Sequence, residues 1–70
     1  MNRIRDIRQA KGMSQKELAV KLGVNQSMIS DYETGKVELT LTKAVKIADI
    51  LECELYDLLG RTDNPAPVTA

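Results

Sequence analysis

The chain has 70 residues, of which 43% are hydrophobic and only two, Tyr32 and Tyr56, are aromatic. This length allows one small domain, and the composition predicts a core built from aliphatic side chains. A single cysteine excludes an internal disulfide framework, no apolar run reaches the length of a membrane span, and no secretory signal is found. Together these features indicate a protein of the reducing cytoplasm.

The formal net charge is zero, but the charges are unevenly distributed along the chain. Residues 1–36 carry seven Lys and Arg residues against four Asp and Glu, whereas residues 37–70 carry three against six. A basic N-terminal half suits an anionic partner, although charges of this kind also occur on ordinary solvated faces. The charge distribution alone leaves both interpretations open.

The first predicted element is a short amphipathic helix within residues 2–11. Apolar residues recur there at spacings of three, which is typical of one helical face. The residues of this stripe are Ile4, Ile7 and Ala10. Gly12 is predicted to end the helix.

A second helix is predicted over about residues 15–22. Ser14 and Glu17 match the capping box, in which a hydroxyl and a glutamate three residues later bond each other's backbone N–H groups. The residues expected on the inner face are Leu18, Ala19 and Leu22. Gly23 is predicted to end this helix because a sharp turn requires a positive φ, which glycine adopts at least cost.

A third helix follows directly, over about residues 26–34. Asn25 is placed to cap it, so that capping boxes are expected at both helix starts, and Gly35 is predicted to end it. Ile29 and Tyr32 are expected to face inward. The polar residues at its start are therefore expected on its outer side.

The remaining sequence predicts two more helices and a tail. A fourth helix is expected over about residues 41–51 and a shorter fifth helix over 54–59. The apolar residues expected on their inner faces are Leu41, Ala44, Val45, Ile47, Ala48, Leu51, Leu55, Leu58 and Leu59. Residues 60–70 contain two prolines and little to bury, which predicts a disordered tail beyond a domain of residues 1–59. No strand pattern occurs, and the predicted fold is all-α.

Two helices joined by a tight glycine turn form a helix-turn-helix, and the sequence meets the packing demands of that motif. A small residue is required where the helices cross, at Ala19, and apolar residues must fill the space beneath. These residues are Leu18, Leu22, Val24, Ile29 and Tyr32. The stretch SQKELAVKLGVNQSMISDYETGK, flanked by IRDIRQAKGM and TLTKAVKIADILECELYDLL, resembles the phage-repressor, Cro-like and Xre-like family of helix-turn-helix DNA-binding domains. The resemblance covers residues 3–59 and departs at Leu39, where many relatives carry a proline.

The resemblance implies a five-helix, lambda-repressor-like domain with the helix-turn-helix at helices two and three. It also implies that the third helix enters the major groove of double-stranded DNA, where each base pair presents a distinct donor and acceptor pattern. The residues expected to read bases are Gln26, Ser27, Met28 and Asp31. Gln26 can bond an adenine bidentately, and Met28 can touch a thymine methyl group. Ordinary helix-start polarity and partial surface packing remain the structural alternatives for these residues.

Contacts to the DNA backbone are expected from the starts of the second and third helices and from two lysines, because amide donors and positive charge both suit a phosphate. The residues assigned to this role are Ser14, Gln15, Lys16, Asn25, Ser30 and Lys36. Plain solvation is the alternative for the lysines. Asp31 does not fit this pattern, since a carboxylate near phosphates weakens binding unless it bonds cytosine N4 or a neighbouring cation.

By resemblance, Arg8 and Glu33 form a structural ion pair that joins the first helix to the third. A bidentate arginine–carboxylate bridge would hold the two helices together. Two independent surface charges are the alternative.

The function expected from the sequence is that of a sequence-specific DNA-binding transcriptional regulator. The expected mode of regulation is repression, by a homodimer bound to an inverted repeat. The apolar candidates for an exposed dimer surface are Leu39, Tyr56 and Leu59, and a place in the core is the alternative for the two leucines. An antitoxin or adaptor that uses the same fold for protein interaction is the alternative, and it would add a protein partner. An enzyme is disfavoured, because the chain lacks histidine and a phosphate-cradling glycine loop. No cofactor, metal, small-molecule ligand or membrane partner is expected.

Overall fold

The computed structural model describes residues 2–60, and this part of the chain contains five α-helices. They are α1 (Ile4–Ala10), α2 (Gln15–Leu22), α3 (Gln26–Thr34), α4 (Leu41–Leu51) and α5 (Leu55–Leu58). No β-strand occurs in this range, so the all-α prediction is confirmed. The middle three helices have the predicted bounds, whereas the first and last are shorter than predicted. The predicted tail falls outside the described residues except for Gly60, and the division at residue 59 stays a prediction.

The core is aliphatic except for Tyr32, in agreement with the composition. Eleven buried hydrophobic residues come from all five helices, and they are Ile4, Leu18, Ala19, Leu22, Ile29, Tyr32, Ala44, Ile47, Ala48, Leu51 and Leu58. α2 packs against both α3 and α4, and α3 also packs against α1. Burial of one Leu or Ile side chain contributes about 1.5–3 kcal/mol, which is enough for this small core to fix the relative positions of α2 and α3.

Three residues that the sequence pattern assigned to inner faces are exposed. Ala10 lies on the outer side of α1, and Leu41 and Val45 are 67% and 43% exposed on α4. The inner face of α4 is narrower than predicted and consists of Ala44, Ile47, Ala48 and Leu51. In α1, the place expected for a third apolar residue is taken by Arg8, which is only 7% exposed. None of the helices within residues 2–60 is both long and apolar enough to cross a bilayer.

The helix ends are fixed by local hydrogen bonds. Ser14 Oγ accepts from the Glu17 N–H at 3.0 Å and Glu17 Oε1 accepts from the Ser14 N–H at 2.9 Å, so the predicted capping box is present. Gly23 has φ +83°, and an added Cβ would meet nothing within 4 Å, so the need for glycine there is conformational. Asn25 Oδ1 accepts from the Met28 N–H at 3.1 Å. The second expected capping box is instead a simple cap, because Met28 offers no carboxylate or amide for the reciprocal bond.

α4 ends in a left-handed residue that is not a glycine. Glu52 has φ 56°, and its N–H donates to the Asp49 carbonyl at 3.2 Å, while the Cys53 N–H donates to the Ala48 carbonyl at 3.0 Å. These two bonds are those of a Schellman motif, whose left-handed position usually holds glycine. The left-handed conformation costs an L-residue with a Cβ roughly 1–2 kcal/mol, so this helix end carries local strain.

The start of the chain is tied to two other elements. The Arg3 N–H donates to the Leu58 carbonyl at 2.8 Å, and Asn2 Nδ2 donates to the Tyr32 carbonyl at 2.8 Å. Asn2 Oδ1 also accepts from the Ile4 N–H at 3.1 Å. The residues before α1 therefore bridge the end of α3 and the end of α5.

Candidate nucleic-acid interface

The first turn of α3 presents polar side chains to solvent. Gln26 and Ser27 are exposed, and Met28 and Asp31 are half-buried. On the opposite side of the helix the buried residues are Ile29, Tyr32 and Glu33. The core therefore holds α3 from behind and leaves its polar face open. Several predicted site residues line one shallow surface groove, and they are Gln15, Gln26, Ser27, Ser30 and Asp31.

A chain of hydrogen bonds links this groove to the interior. Gln26 Nε2 donates to Gln15 Oε1 at 3.3 Å, and Gln15 Nε2 donates to Glu33 Oε1 at 2.9 Å. Because an ionised carboxylate only accepts, Gln15 must turn its amide nitrogen toward Glu33 and its oxygen toward Gln26. The buried carboxylate of Glu33 thus sets the orientation of both glutamine side chains.

The polar residues at the start of α3 also bond one another. Ser27 Oγ donates to Asn25 Oδ1 at 2.9 Å, and the same Oδ1 accepts from the Met28 N–H. This oxygen is therefore already used, and Asn25 can offer only its amide nitrogen to an outside acceptor. Ser27 keeps its lone pairs for an outside donor.

Glu33 forms the polar centre beneath the groove. Arg8 Nε lies 2.7 Å from Glu33 Oε2, Arg8 Nη2 lies 3.3 Å from Glu33 Oε1, and Arg8 Nη1 donates to the Met13 carbonyl at 2.8 Å. The Arg8 and Glu33 side chains are only 8% and 0% exposed. The ion pair expected from the resemblance is therefore present in a buried, bidentate form, and these are not two independent surface charges.

The pKa of Glu33 reflects two opposing effects. Burial alone raises the pKa of this carboxyl, but hydrogen bonds from Arg8, Gln15 and Arg5, together with the charge of Arg8, outweigh it. The pKa of Glu33 therefore lies below its ordinary value, and the group is ionised at neutral pH. No buried side-chain polar atom among residues 2–60 lacks a hydrogen-bond partner.

The sequence analysis missed Arg5. Its Nε donates to Glu33 Oε1 at 3.3 Å, and its side chain is 53% exposed. The spacing of three between Arg5 and Arg8 places both on one face of α1 and could have indicated a shared partner.

The other candidate residues differ in exposure and in the bonds they already form. Ser14 is engaged in its capping box, and Ser30 is half-buried. Lys16 and Lys36 are exposed and form no ion pair within the described part of the chain. Asp31 likewise has no cation paired with it among residues 2–60, so no neighbouring cation neutralises its charge.

The candidate dimer residues lie away from the groove. Leu39 and Leu59 are half-buried against the core and line the same cleft, which also includes Asn2 and Val37. Tyr56 is 48% exposed on α5. The structure thus brings Leu39 and Leu59 together.

Residues 2–60 contain no group of three or more His, Cys, Asp or Glu side chains that could hold a metal ion. Cys53 is half-buried against the core. Its burial and the nearby charge of Asp57 raise the pKa of its thiol. Cys53 is therefore a protonated packing residue and not a reactive thiolate.

The fold and this surface define a helix-turn-helix domain whose second motif helix, α3, is open at its polar start. The family model described as "Helix-turn-helix" matches residues 4–58, and the chain belongs to this family, whose Cro-like and Xre-like members it resembles.

Curated relatives include regulators and an antitoxin. The chain is 43% identical over 56 residues to an uncharacterized HTH-type transcriptional regulator of Archaeoglobus fulgidus, covering 80% of each chain. It is 39% identical over 54 residues to antitoxin HipB of Escherichia coli, covering 77% of this chain and 61% of that protein. It is 34% identical over 59 residues to the cryptic phage CTXphi transcriptional repressor RstR of Vibrio cholerae, covering 84% of this chain and 53% of that protein. The chain thus spans less than two thirds of the latter two relatives.

A solved structure shares the fold. The hypothetical transcription factor NHTF from Neisseria matches with a TM-score of 0.74 and 34% sequence identity, covering 80% of this chain and 63% of that one.

Proposed function

We propose that this protein is a sequence-specific DNA-binding transcriptional regulator that inserts the polar start of α3 into the major groove. The observation that carries this proposal is the exposed first turn of α3, which the buried residues Ile29 and Tyr32 hold from behind. A helix fits the width of the major groove, and short polar side chains at its start can reach base edges. The names of the relatives support regulation, and RstR supports a repressor.

The residues of the interface divide between base reading and positioning. Base reading is assigned to the exposed face of α3, at Gln26, Ser27, Met28 and Asp31. Contacts to the DNA backbone are assigned to Ser14, Gln15, Lys16, Asn25, Ser30 and Lys36. Phosphate contacts fix the orientation of the protein and base contacts select the sequence. Because no neighbouring cation neutralises Asp31, cytosine N4 is its proposed partner.

The regulator is proposed to act as a homodimer on an inverted repeat. One copy of α3 reaches few base pairs, whereas two copies about 34 Å apart read two half-sites on one face of the DNA. The cleft lined by Leu39 and Leu59, with Tyr56 on α5, supplies the proposed contact between copies. A dimer that occupies its operator would block transcription. We place this activity in the cytoplasm, and we propose no enzymatic activity.

Selection of bound fragments from a random DNA pool tests this function. We expect an inverted-repeat consensus and an affinity that falls steeply as salt rises, because phosphate contacts release counterions. Recovery of no consensus, with equal weak binding to all fragments, would contradict sequence-specific regulation.

The match to antitoxin HipB favours a second candidate, in which the same domain also binds a partner protein. An antitoxin would retain operator binding, so the two functions overlap. Purification of the chain from its native host, with and without bound DNA, separates them. A partner that stays bound to a variant lacking DNA affinity would favour the adaptor form.

A further inference from the structure

Glu33 holds a second arginine at the edge of the groove. Arg5 Nε and Gln15 Nε2 donate to the same oxygen, Glu33 Oε1, at 3.3 and 2.9 Å. The Arg5 guanidinium and the Gln15 amide are therefore immediate neighbours. Since Gln15 bonds Gln26 in turn, Arg5 lies on the surface that continues into the start of α3.

The two arginines use their donors differently. Arg8 bonds through Nε, Nη1 and Nη2 to Glu33 and to the Met13 carbonyl. Arg5 bonds only through Nε within residues 2–60, and its side chain is 53% exposed. A guanidinium is a planar fork of five N–H donors, so the Nη groups of Arg5 remain available to one outside acceptor.

The charges of this cluster do not cancel. One carboxylate, Glu33, faces two guanidinium groups, and the shorter and more buried bridge is the one to Arg8. Arg5 is thus the cation whose charge is left over, and it is the one in contact with solvent. A partly exposed arginine, held at Nε and open at both Nη groups, is suited to bidentate binding of a phosphate.

We propose that Arg5 is a phosphate-binding residue of the DNA interface, held in position by the carboxylate of Glu33. The inference rests on the proposed function, and it adds α1 to the elements that contact the DNA backbone. Glu33 then has a second role besides its bridge to Arg8, because it positions both Arg5 and Gln15.

Arg5→Ala is tested against Arg3→Ala as the matched control. Arg3 lies just before the same helix, is 45% exposed and, within residues 2–60, pairs with Asp6 alone at 3.9 Å, so both variants lose one exposed positive charge. Binding to the selected operator duplex is measured by fluorescence anisotropy at several salt concentrations. We expect Arg5→Ala to weaken binding to all sequences alike and to reduce the slope of log affinity against log salt by about 0.9 for each bound chain. The ratio of wild-type affinity to Arg5→Ala affinity should then fall about threefold, for each bound chain, as salt rises from 50 to 200 mM.

Arg5→Lys distinguishes position from charge. A lysine has a single donor group that cannot bond Glu33 and a phosphate in the arginine geometry, so we expect it to restore only part of the lost affinity. Glu33 keeps its bonds to Arg8 and Gln15 in these variants, so circular dichroism should show that all three fold.

A wild-type salt slope in Arg5→Ala, or an equal change of slope in Arg3→Ala, would overturn the inference while leaving DNA binding intact. Absence of salt-dependent binding by the wild-type chain would overturn the proposed function itself. If Arg5→Ala does not fold, Arg5→Gln removes the charge and keeps a long polar side chain, and a wild-type salt slope in that variant would also overturn the inference.

Discussion

Gln26 and Lys36 have different proposed roles at the interface, and single substitutions separate them. Gln26→Ala should relax selection at one base position by about 1–3 kcal/mol, because a bidentate contact to one base is lost. Lys36→Ala should weaken binding to all sequences alike and lower the salt slope by about one, because a phosphate contact is lost. Competition titrations with single-base operator variants measure both effects. Equal losses for both variants on every sequence would remove this division of roles.

The pKa of Glu33 predicts a loss of stability in acid. Its carboxyl has a lower pKa in the folded state than in the unfolded chain, where the ordinary value is about 4.3. Between the two values the unfolded state binds more protons, so the free energy of unfolding falls as the pH falls. We expect this contribution to be complete above the ordinary glutamate pKa and to be lost progressively as the pH falls through this range, measured by urea denaturation between neutral pH and pH 3.

The capping carboxylate Glu17 needs a control in that experiment. Its pKa is also lowered, chiefly by the hydrogen bond from the Ser14 backbone. The variant Glu17→Gln removes this contribution, and we expect part of the acid dependence to remain in it. Carboxyl carbon NMR assigns the remainder, and titration of Glu33 at or above the ordinary glutamate range would contradict the prediction.

Part of the site could be predicted from residues alone. The polar start of α3 follows from local signals, since Asn25 and Gly23 fix where the helix begins. The bridge between Arg8 and Glu33 followed only from family resemblance. The contacts of Glu33 with Arg5 and Gln15 were not predicted. The spacing of Arg5 and Arg8 places both on one face of α1, but no spacing in the sequence shows that Gln15 on α2 meets the same carboxylate on α3.

At the scale of elements, the end of α4 offers a stabilising substitution. Glu52 adopts a left-handed conformation at φ 56° and places a carboxylate at the negative end of a helix. We expect Glu52→Gly to increase the free energy of unfolding by about 1 kcal/mol, because glycine adopts this conformation without strain. Thermal denaturation should show a Tm higher by about 4–8 °C.

Gly23→Ala is the matched control with the opposite sign. Its φ is +83° and an added methyl group meets nothing, so only the backbone conformation opposes the substitution. We expect Gly23→Ala to lower the free energy of unfolding by about 1 kcal/mol. A Glu52→Gly variant no more stable than the wild type would show that the glutamate side chain contributes a compensating interaction.

Helix bounds were predicted better than buried faces, and the reason is physical. Caps and left-handed glycines act within a few residues, and they gave α2 and α3 their observed ends. The width of a buried face depends on which neighbours cover the helix. Leu41 and Val45 match the apolar period of α4, but the other elements do not cover that side.

At the scale of the whole molecule, the proposed dimer predicts a strict dependence on half-site spacing. Two copies joined through one interface can reach half-sites only on the same face of the DNA. Insertion of about five base pairs between the half-sites turns one of them to the opposite face, and we expect the affinity to fall about 100-fold. Insertion of a full turn keeps both half-sites on one face of the DNA and changes only their distance, so we expect its affinity to differ from that of the half-turn operator.

Gel-shift titrations of the three operators measure this effect. The free chain and the bound complex can be compared by analytical ultracentrifugation. Equal affinity for the original and half-turn operators would contradict a dimer with a fixed geometry.

The hydrogen bond from Arg3 to Leu58 has an architectural consequence. It places the start of α1 next to the end of α5, so the two ends of the described part of the chain lie close together. New termini could therefore be opened in the segment between α3 and α4 of the domain, once a short peptide joins residue 60 to residue 2. In such a rearranged polypeptide, the order in which the helices are synthesised would change while the surface that faces the double helix would not.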